Sequence, residues 1–473
     1  RFDLSSSEGR IFIPDVYDDG LKIAFAKLNG TISGDLEKWV IEEFFVDLGG
    51  PSVKVSLREN REGEKLLLHG DIEILSMPID DLPQHWPLGL SDNTREWIDE
   101  QLAFGNIKET RAVFSAVVDL EKGPSFKVTE LEGTMAYSGM DTIYMSGFPA
   151  VVGAGGTGSF DLKTLHLALT EGTHEGMVLA KGGVHIFDLE TEDPHAKVDV
   201  TVAGPARRAL ELLDHEKLRY LEKMELSPDR FEGEALVHLF LEFPLLADLA
   251  LEDIKVGADA TLHALSFTDA IPGVDLRKGD VQLKLEGSSL SMAGRGEVGG
   301  VPAEITWKEN FSGKADYQSR YTLKGRMDEA ARKIFGYSGA PFLSGPVEVA
   351  LVYTNRGDKG QLAIDLDLAS GELHVPGFEW TKPVGAPGKG TIQIDFDKGR
   401  LQKIHELVMT AGDLDVKGQI DFASDGKTIE GARFERLKFG ATDVKGKGVR
   451  AADGGFDVTL TGRGFDAAKI LEQ

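Results

Sequence analysis

The chain has 473 residues, 41% hydrophobic and 27% charged, with 56 Gly, 18 Pro and no Cys. That composition supplies a core and argues against global disorder, while the missing Cys excludes disulfides, thiol catalysis and cysteine-held metals. The formal charge of −26 is the wrong sign for nucleic acid, so no nucleic-acid partner is expected, and it suits a self-repelling, soluble surface.

Period-2 alternation dominates the chain from its start. Val53, Val55 and Leu57 alternate with Lys54, Ser56 and Arg58. A loop is predicted over 59–64, then a helix over 91–104, with Ser91 or Asp92 as cap, Trp97, Ile98 and Leu102 as apolar stripe and Gly105 as stop. A loop over 190–195 leads to Val198, Val200 and Val202, which alternate with Lys197, Asp199 and Thr201. A second helix is predicted over 205–224, with Pro205 in its first turn and Leu210, Leu213, Leu218 and Leu221 on one side. The apolar stretch over 236–251 is the nearest approach to a membrane helix, but Glu242 and Asp248 interrupt it. Val281, Leu283 and Leu285 form the next alternating strand, followed by a loop over 294–300 and a short helix over 328–335. Leu362, Ile364, Leu366 and Leu368, then Ile392, Ile394 and Phe396, alternate with polar residues. Loops are predicted over 355–360 and 381–390. Each strand has one apolar and one wet face, which marks an antiparallel sheet covered on one side. Approximate breaks near 125, 225 and 340 divide the chain into segments 1–125, 126–225, 226–340 and 341–473, or these join as one continuous groove.

An apolar–x–Gly–x–apolar unit recurs around Gly30, Gly70, Gly133, Gly325 and Gly418. In a strand each Gly shares a face with its apolar neighbours. Two readings stay open: a curved sheet with room for a ligand over the glycines, or bulges and tight packing.

Motifs that carry chemistry are few. Gly153, Gly155 and Gly158 fit GxGxxG, but the text from Ser159 to Leu167 leans to strand where a dinucleotide site needs a helix. A Gly-rich loop is expected there. No P-loop, HExxH or GxSxG occurs. His69, His166, His185 and His374 are scattered through strand-like text. Asp365 with Asp367, and Asp395 with Asp397, lack the rest of a calcium loop and read as the wet face of a strand. No catalytic residue, metal site or cofactor is expected; a glycosidase carboxylate pair could hide among the many acids, but nothing selects one.

Several marks then stand together: Trp86-Pro87, Trp97-Ile98 and Gly105; Trp307 with Phe311; Gly345-Pro346-Val347; Trp380, Lys382-Pro383, Gly385 and Pro387-Gly388; and Phe465-Asp466-Ala467. In this order they resemble the AsmA-like superfamily, specifically its YhdP-type members. The resemblance spans most of the chain and is carried by β repeats rather than a catalytic signature. It implies a mainly β fold: an elongated, twisted antiparallel sheet forming an open gutter, with a few short helices. It further implies a periplasmic protein, anchored in the Gram-negative inner membrane by a helix that this chain lacks, so a fragment is expected. The family's role implies a non-enzymatic part in phospholipid transport toward the outer membrane, with a phospholipid or other acyl-chain ligand as partner.

On that reading the inward residues of the clearest strands line the groove: Val198, Val200, Val202, Val281, Leu283, Leu285, Leu362, Ile364, Leu366, Ile392, Ile394 and Phe396. The same residues could instead fill a sandwich core. An envelope assembly protein that binds partners through sheet edges is the alternative function.

Overall fold

The computed structural model describes residues 1–13, 17–34, 38–86, 92–121, 125–143, 148–214, 220–224, 226–246, 249–250, 253–271, 273–313, 315–378 and 380–466. Strand makes up 69% of the protein and helix 8%, so the expected mainly β fold with few short helices is what forms. Twenty-six strands belong to one antiparallel sheet. A two-stranded hairpin (Gly9–Ile13 with Tyr17–Ile23) and a three-stranded sheet (Leu343–Ser344, Glu372–Val375 and Trp380–Lys382) stand beside it. The chain divides into two compact units, residues 1–228 with 236–258, and residues 229–235 with 259–473.

Within each unit the sheet is mostly a meander. In the first, Trp39–Asp47, Ser52–Glu62 and Lys65–Pro78 pair in succession, and Lys65–Pro78 then pairs with Asn106–Asp119, stepping over residues 79–105. In the second, Ser319–Met327 pairs with Val347–Arg356 across residues 328–346, and Lys359–Asp367 pairs with Gly388–Asp397 across 368–387. Both of those longer connections leave from the same ends of the strands. Tight returns close the others: Gly357 (φ 56°) turns between Val347–Arg356 and Lys359–Asp367, a conformation in which a Cβ would be strained.

All five predicted alternating runs are strands: Ser52–Glu62, His195–Pro205, Val274–Glu286, Lys359–Asp367 and Gly388–Asp397. Other expectations need correction. The glycines at 153–158 lie inside the strand Val151–Asp161, not in a loop. The loop over 294–300 shrinks to Gly299–Gly300, since Ser289–Val298 is strand. The loop over 59–64 likewise shrinks to a turn after Glu62, and that over 381–390 to the stretch between Lys382 and Gly388.

The first helix is Asp92–Gln101, and Leu102–Ala103 is already strand. Phe104 and Gly105 take φ of 60° and 74°, which turns the chain out of the helix. Ser91, the proposed cap, lies outside the described residues. The long helix over 205–224 resolves into Ala206–Leu213 and a turn at Tyr220–Lys223, with Pro205 before the first turn rather than in it; 215–219, including Leu218, lie outside the described residues. The third helix is Glu329–Ile334, capped by Asp328, whose carboxylate accepts the Ala331 N–H at 2.8 Å.

Candidate functional site

Register places the apolar residues of successive strands directly opposite one another. In the second unit one row runs Val281, Gly294, Ile305, Leu323, Leu351 and Ile364, then Ile392, Leu407, Gly418, Phe434, Gly446 and Leu460. The next row runs Leu283, Met292, Trp307, Tyr321, Tyr353 and Leu362, then Ile394, Ile404, Ile420, Ala432, Gly448 and Val458. A third begins Gly296, Ala303, Gly325, Val349, Leu366 and Gly390. No charged or amide side chain interrupts these rows, and Trp307, Tyr321 and Tyr353 bring their polar atoms on aromatic rings. With strands about 4.8 Å apart and alternate residues about 7 Å apart, the strip is about 50 Å along the sheet and about 14 Å wide.

The strip is not sealed. Leu351, Leu362, Ile364, Ile392, Ile394 and Leu407 are all half-buried, and Tyr321 is 39% exposed. Burial is complete along the first strands of the leading row, at Val281, Ile305 and Leu323, and also toward one edge, at Met327, Val347, Leu368, Ala411 and Phe439. At that edge the two long connections form a cap. Arg332, 5% exposed, donates through Nη1 to the carbonyls of Met327 (3.2 Å) and Gly345 (2.7 Å), tying the short helix to the strand ends. Lys382, 3% exposed, donates to the carbonyls of Gly371 (2.7 Å) and Pro383 (3.0 Å), and burial lowers its pKa below that of an ordinary lysine. Trp380 Nε1 donates to Asp413 at 2.6 Å and, with further donors, holds that carboxyl below the usual range.

The recurring glycines leave less room than an open-space reading allows. Gly30, Gly70, Gly133 and Gly418 stand directly opposite Phe2, Phe114, Phe160 and Phe434 on the neighbouring strands. A Cβ added to each would meet that ring at 2.8, 2.6, 2.5 and 2.6 Å. The ring lies across the glycine, so the vacated space is filled by the partner strand. At Gly325 the neighbours are Ala303 and the Pro302 carbonyl. Three of these pairs lie in the first unit; in the second, Phe434 across Gly418 puts a flat aromatic ring on the strip rather than a hole in it.

The first unit has a comparable row through Leu28, Phe44, Val55, Ile72, Ala112 and Gly133 to Phe160, Leu165, Ile186 and Ala196. Its later part is covered. Ile186 and Ala196 pack with Phe243, Leu245 and Leu249, and Trp97 and Leu165 lie against them. Ile79 packs with Tyr137, Met140 and Ala154, and Leu82 and Leu102 border them. Two hollows of about 940 and 890 Å³ open on this unit's charged face. They share Arg111, Thr134, Ser159 and His166, and charges of both signs line them: Lys54, Asp71, Glu73 and Glu132 in one, Lys197 and Asp199 in the other.

The proposed lining residues separate accordingly. Val198 packs against the covered cluster of the first unit, on the strand that also carries Val200 and Val202. Val281 and Leu285 are buried at 2% and 6%, with Leu283 half-buried between them. The other six meet across one strand pair: Leu362 opposite Ile394, Ile364 opposite Ile392, Leu366 opposite Gly390 and Phe396 opposite Gly360. Their wet-face neighbours bond locally. Asp365 accepts from Thr391 (2.9 Å), Asp395 pairs with His405 (2.9 Å) and Asp397 with Lys359 (3.0 Å). Among the described residues no three His, Asp or Glu stand close enough to hold a metal ion, and no helix is long and apolar enough to cross a membrane.

Sequence reasoning missed the cap, the buried Glu309 and the places of Tyr321 and Tyr353 in the second row. Aromatic residues recurring on the apolar phase of successive strands were the available signal. No curated protein and no solved structure matches the chain. The family described as YhdP protein matches residues 1–472. With rows of β repeats running through both units and that match covering nearly its whole length, the chain belongs to the YhdP family.

Proposed function

We propose that this chain binds acyl-chain lipid on the apolar strip of its second unit and contributes to phospholipid transport between the inner and outer membranes of a Gram-negative envelope. On this reading it works in the periplasm, anchored at the inner membrane. The observation that carries it is the unbroken set of apolar rows, half-exposed from Leu351 through Leu407. An exposed acyl chain costs about 0.8 kcal/mol per CH₂ in water. A strip about 50 Å long offers continuous cover for chains that occupy about 15 Å of a leaflet. Because the rows repeat without a charged or amide interruption, a tail moving along them meets no deep trap. No bond is made or broken, so no catalytic group is required.

The test is mass spectrometry of lipids extracted from gently purified protein, beside Ile364→Asp and Ile394→Asp variants. Both side chains are half-buried on the strip. Bound phospholipid in the parent and its loss in the variants, with circular dichroism unchanged, is the expected result. Equal lipid in folded parent and variants overturns the assignment. Partner docking by strand addition is a second reading, favoured by the strand Phe456–Gly464, whose side chains are exposed at all but the last position.

A further inference from the structure

Across the strip of the second unit, opposite the cap, the chemistry changes in a fixed order. The row Leu323, Leu351, Ile364 and Ile392 is aliphatic. Next comes an aromatic run: Trp307 stacks on Tyr321 with ring centroids 5.9 Å apart, Tyr321 on Tyr353 at 6.3 Å, and Tyr353 meets Phe396 edge-on at 6.1 Å. In the row beyond the tyrosines, which Phe396 shares, the polar residues Glu309, Ser319 and Asn355 stand opposite one another, between Leu290 on one side and Gly360 on the other. Glu309 is 2% and Ser319 4% exposed.

The polar atoms of the aromatic run share a direction. Trp307 Nε1 donates to Glu309 Oε2 at 3.1 Å. The Tyr353 hydroxyl lies over Gly360, which stands opposite Asn355. Tyr321 has Ser319 as a side-chain partner, and although 39% exposed it is surrounded closely enough that desolvation raises its pKa. Apolar bodies turned to the aliphatic row and polar tips turned away is how Trp and Tyr sit at a boundary between hydrocarbon and water.

We infer that Trp307, Tyr321, Tyr353 and Phe396 form an interfacial belt that fixes the direction of a bound amphiphile, its headgroup and glycerol at the belt and its acyl chains running toward the cap. The inference rests on the lipid reading above and adds orientation to it. A two-tailed lipid would then lie with its polar end at the strand ends near Ser319 and Asn355. Its tails would cover Leu351, Ile364 and Ile392, which are half-buried.

Two photoactivatable phospholipids test this on the unaltered chain, one with a diazirine in the headgroup and one with it at the acyl terminus. The expected pattern is headgroup labelling concentrated on peptides containing 317–321 and 353–359. Tail labelling should concentrate on peptides containing 343–349 and 364–368, each enriched several-fold over the other probe. Replacing Tyr321 and Tyr353 together by Ala should erase that difference while labelling persists. A reversed or indistinguishable pattern in the parent overturns the belt and leaves lipid binding standing. Absence of labelling from both probes in this unit overturns the lipid reading itself.

Discussion

At the scale of single residues, the pairing of a glycine with a phenylalanine across the ladder explains why so many glycines sit inside strands. A mid-strand glycine normally weakens a sheet; here the opposing ring covers the bare backbone and recovers apolar contact. Gly418→Ala should destabilise the protein by about 1–3 kcal/mol, because the new Cβ meets the Phe434 ring and the Arg433 carbonyl at 2.6 and 2.8 Å. With Phe434→Ala in the background the penalty should shrink, giving a coupling of about 0.5–3 kcal/mol in a double-mutant cycle read by denaturant unfolding. Additive effects would mean that the ring does not cover the glycine. Asp425 offers a pH test. Its carboxylate accepts the Thr428 hydroxyl (2.6 Å) and the Thr428 and Lys427 N–H groups (both 2.9 Å), which hold its pKa down to about 2. The folded state therefore binds this proton less readily than the unfolded chain. Its stabilisation is present above the ordinary value of 3.8 and is lost as pH falls from there through about 2. Carbon-detected NMR titration of Asp425 should show that low midpoint, and Thr428→Ala should raise it.

Among the elements, strands obeyed the sequence more closely than helices did. Alternation of the kind seen at Ile392, Ile394 and Phe396 names both an element and its buried face. Some turns were legible from a glycine between two such runs, as at Gly299–Gly300 and Gly357, while those at Gly287, Gly399, Gly412 and Gly440 were not marked. The long helix over 205–224 was not legible, because Leu210, Leu213 and Leu221 keep helical spacing while the helix itself ends at Leu213 with Asp214 as its cap. The glycines at 153–158 misled in the opposite sense. They resemble a loop in composition, yet neighbouring strands on both sides hold them in the ladder. The helix Glu329–Ile334 is short enough that its cap decides its fate. Asp328→Ala should cost about 1 kcal/mol, measured by chemical denaturation, and Asp328→Asn much less. Equal losses in both would place the effect elsewhere than in the cap hydrogen bond.

On the scale of the whole molecule, each strand leans chiefly on its sequence neighbours, so stability is distributed much as in a repeat protein. Gly418→Ala should therefore speed amide exchange in Gly388–Asp397, Arg400–Ala411 and Ile429–Phe439 while strands such as Lys65–Pro78 keep their protection. Hydrogen-exchange mass spectrometry reads this directly, and uniform acceleration along the chain would show global cooperativity instead. By itself the sequence determined the class of fold, the apolar face of its clearest strands and the family, because a period of two and a few Trp, Gly and Pro marks are local properties. Only the tertiary structure decided which apolar positions stand opposite one another, that phenylalanines fill the space above the glycines, that the first unit covers part of its own row, and that the second leaves its strip half-open between a cap and an aromatic belt. Those outcomes depend on register, and register depends on bulges and long-range pairing that no single strand encodes.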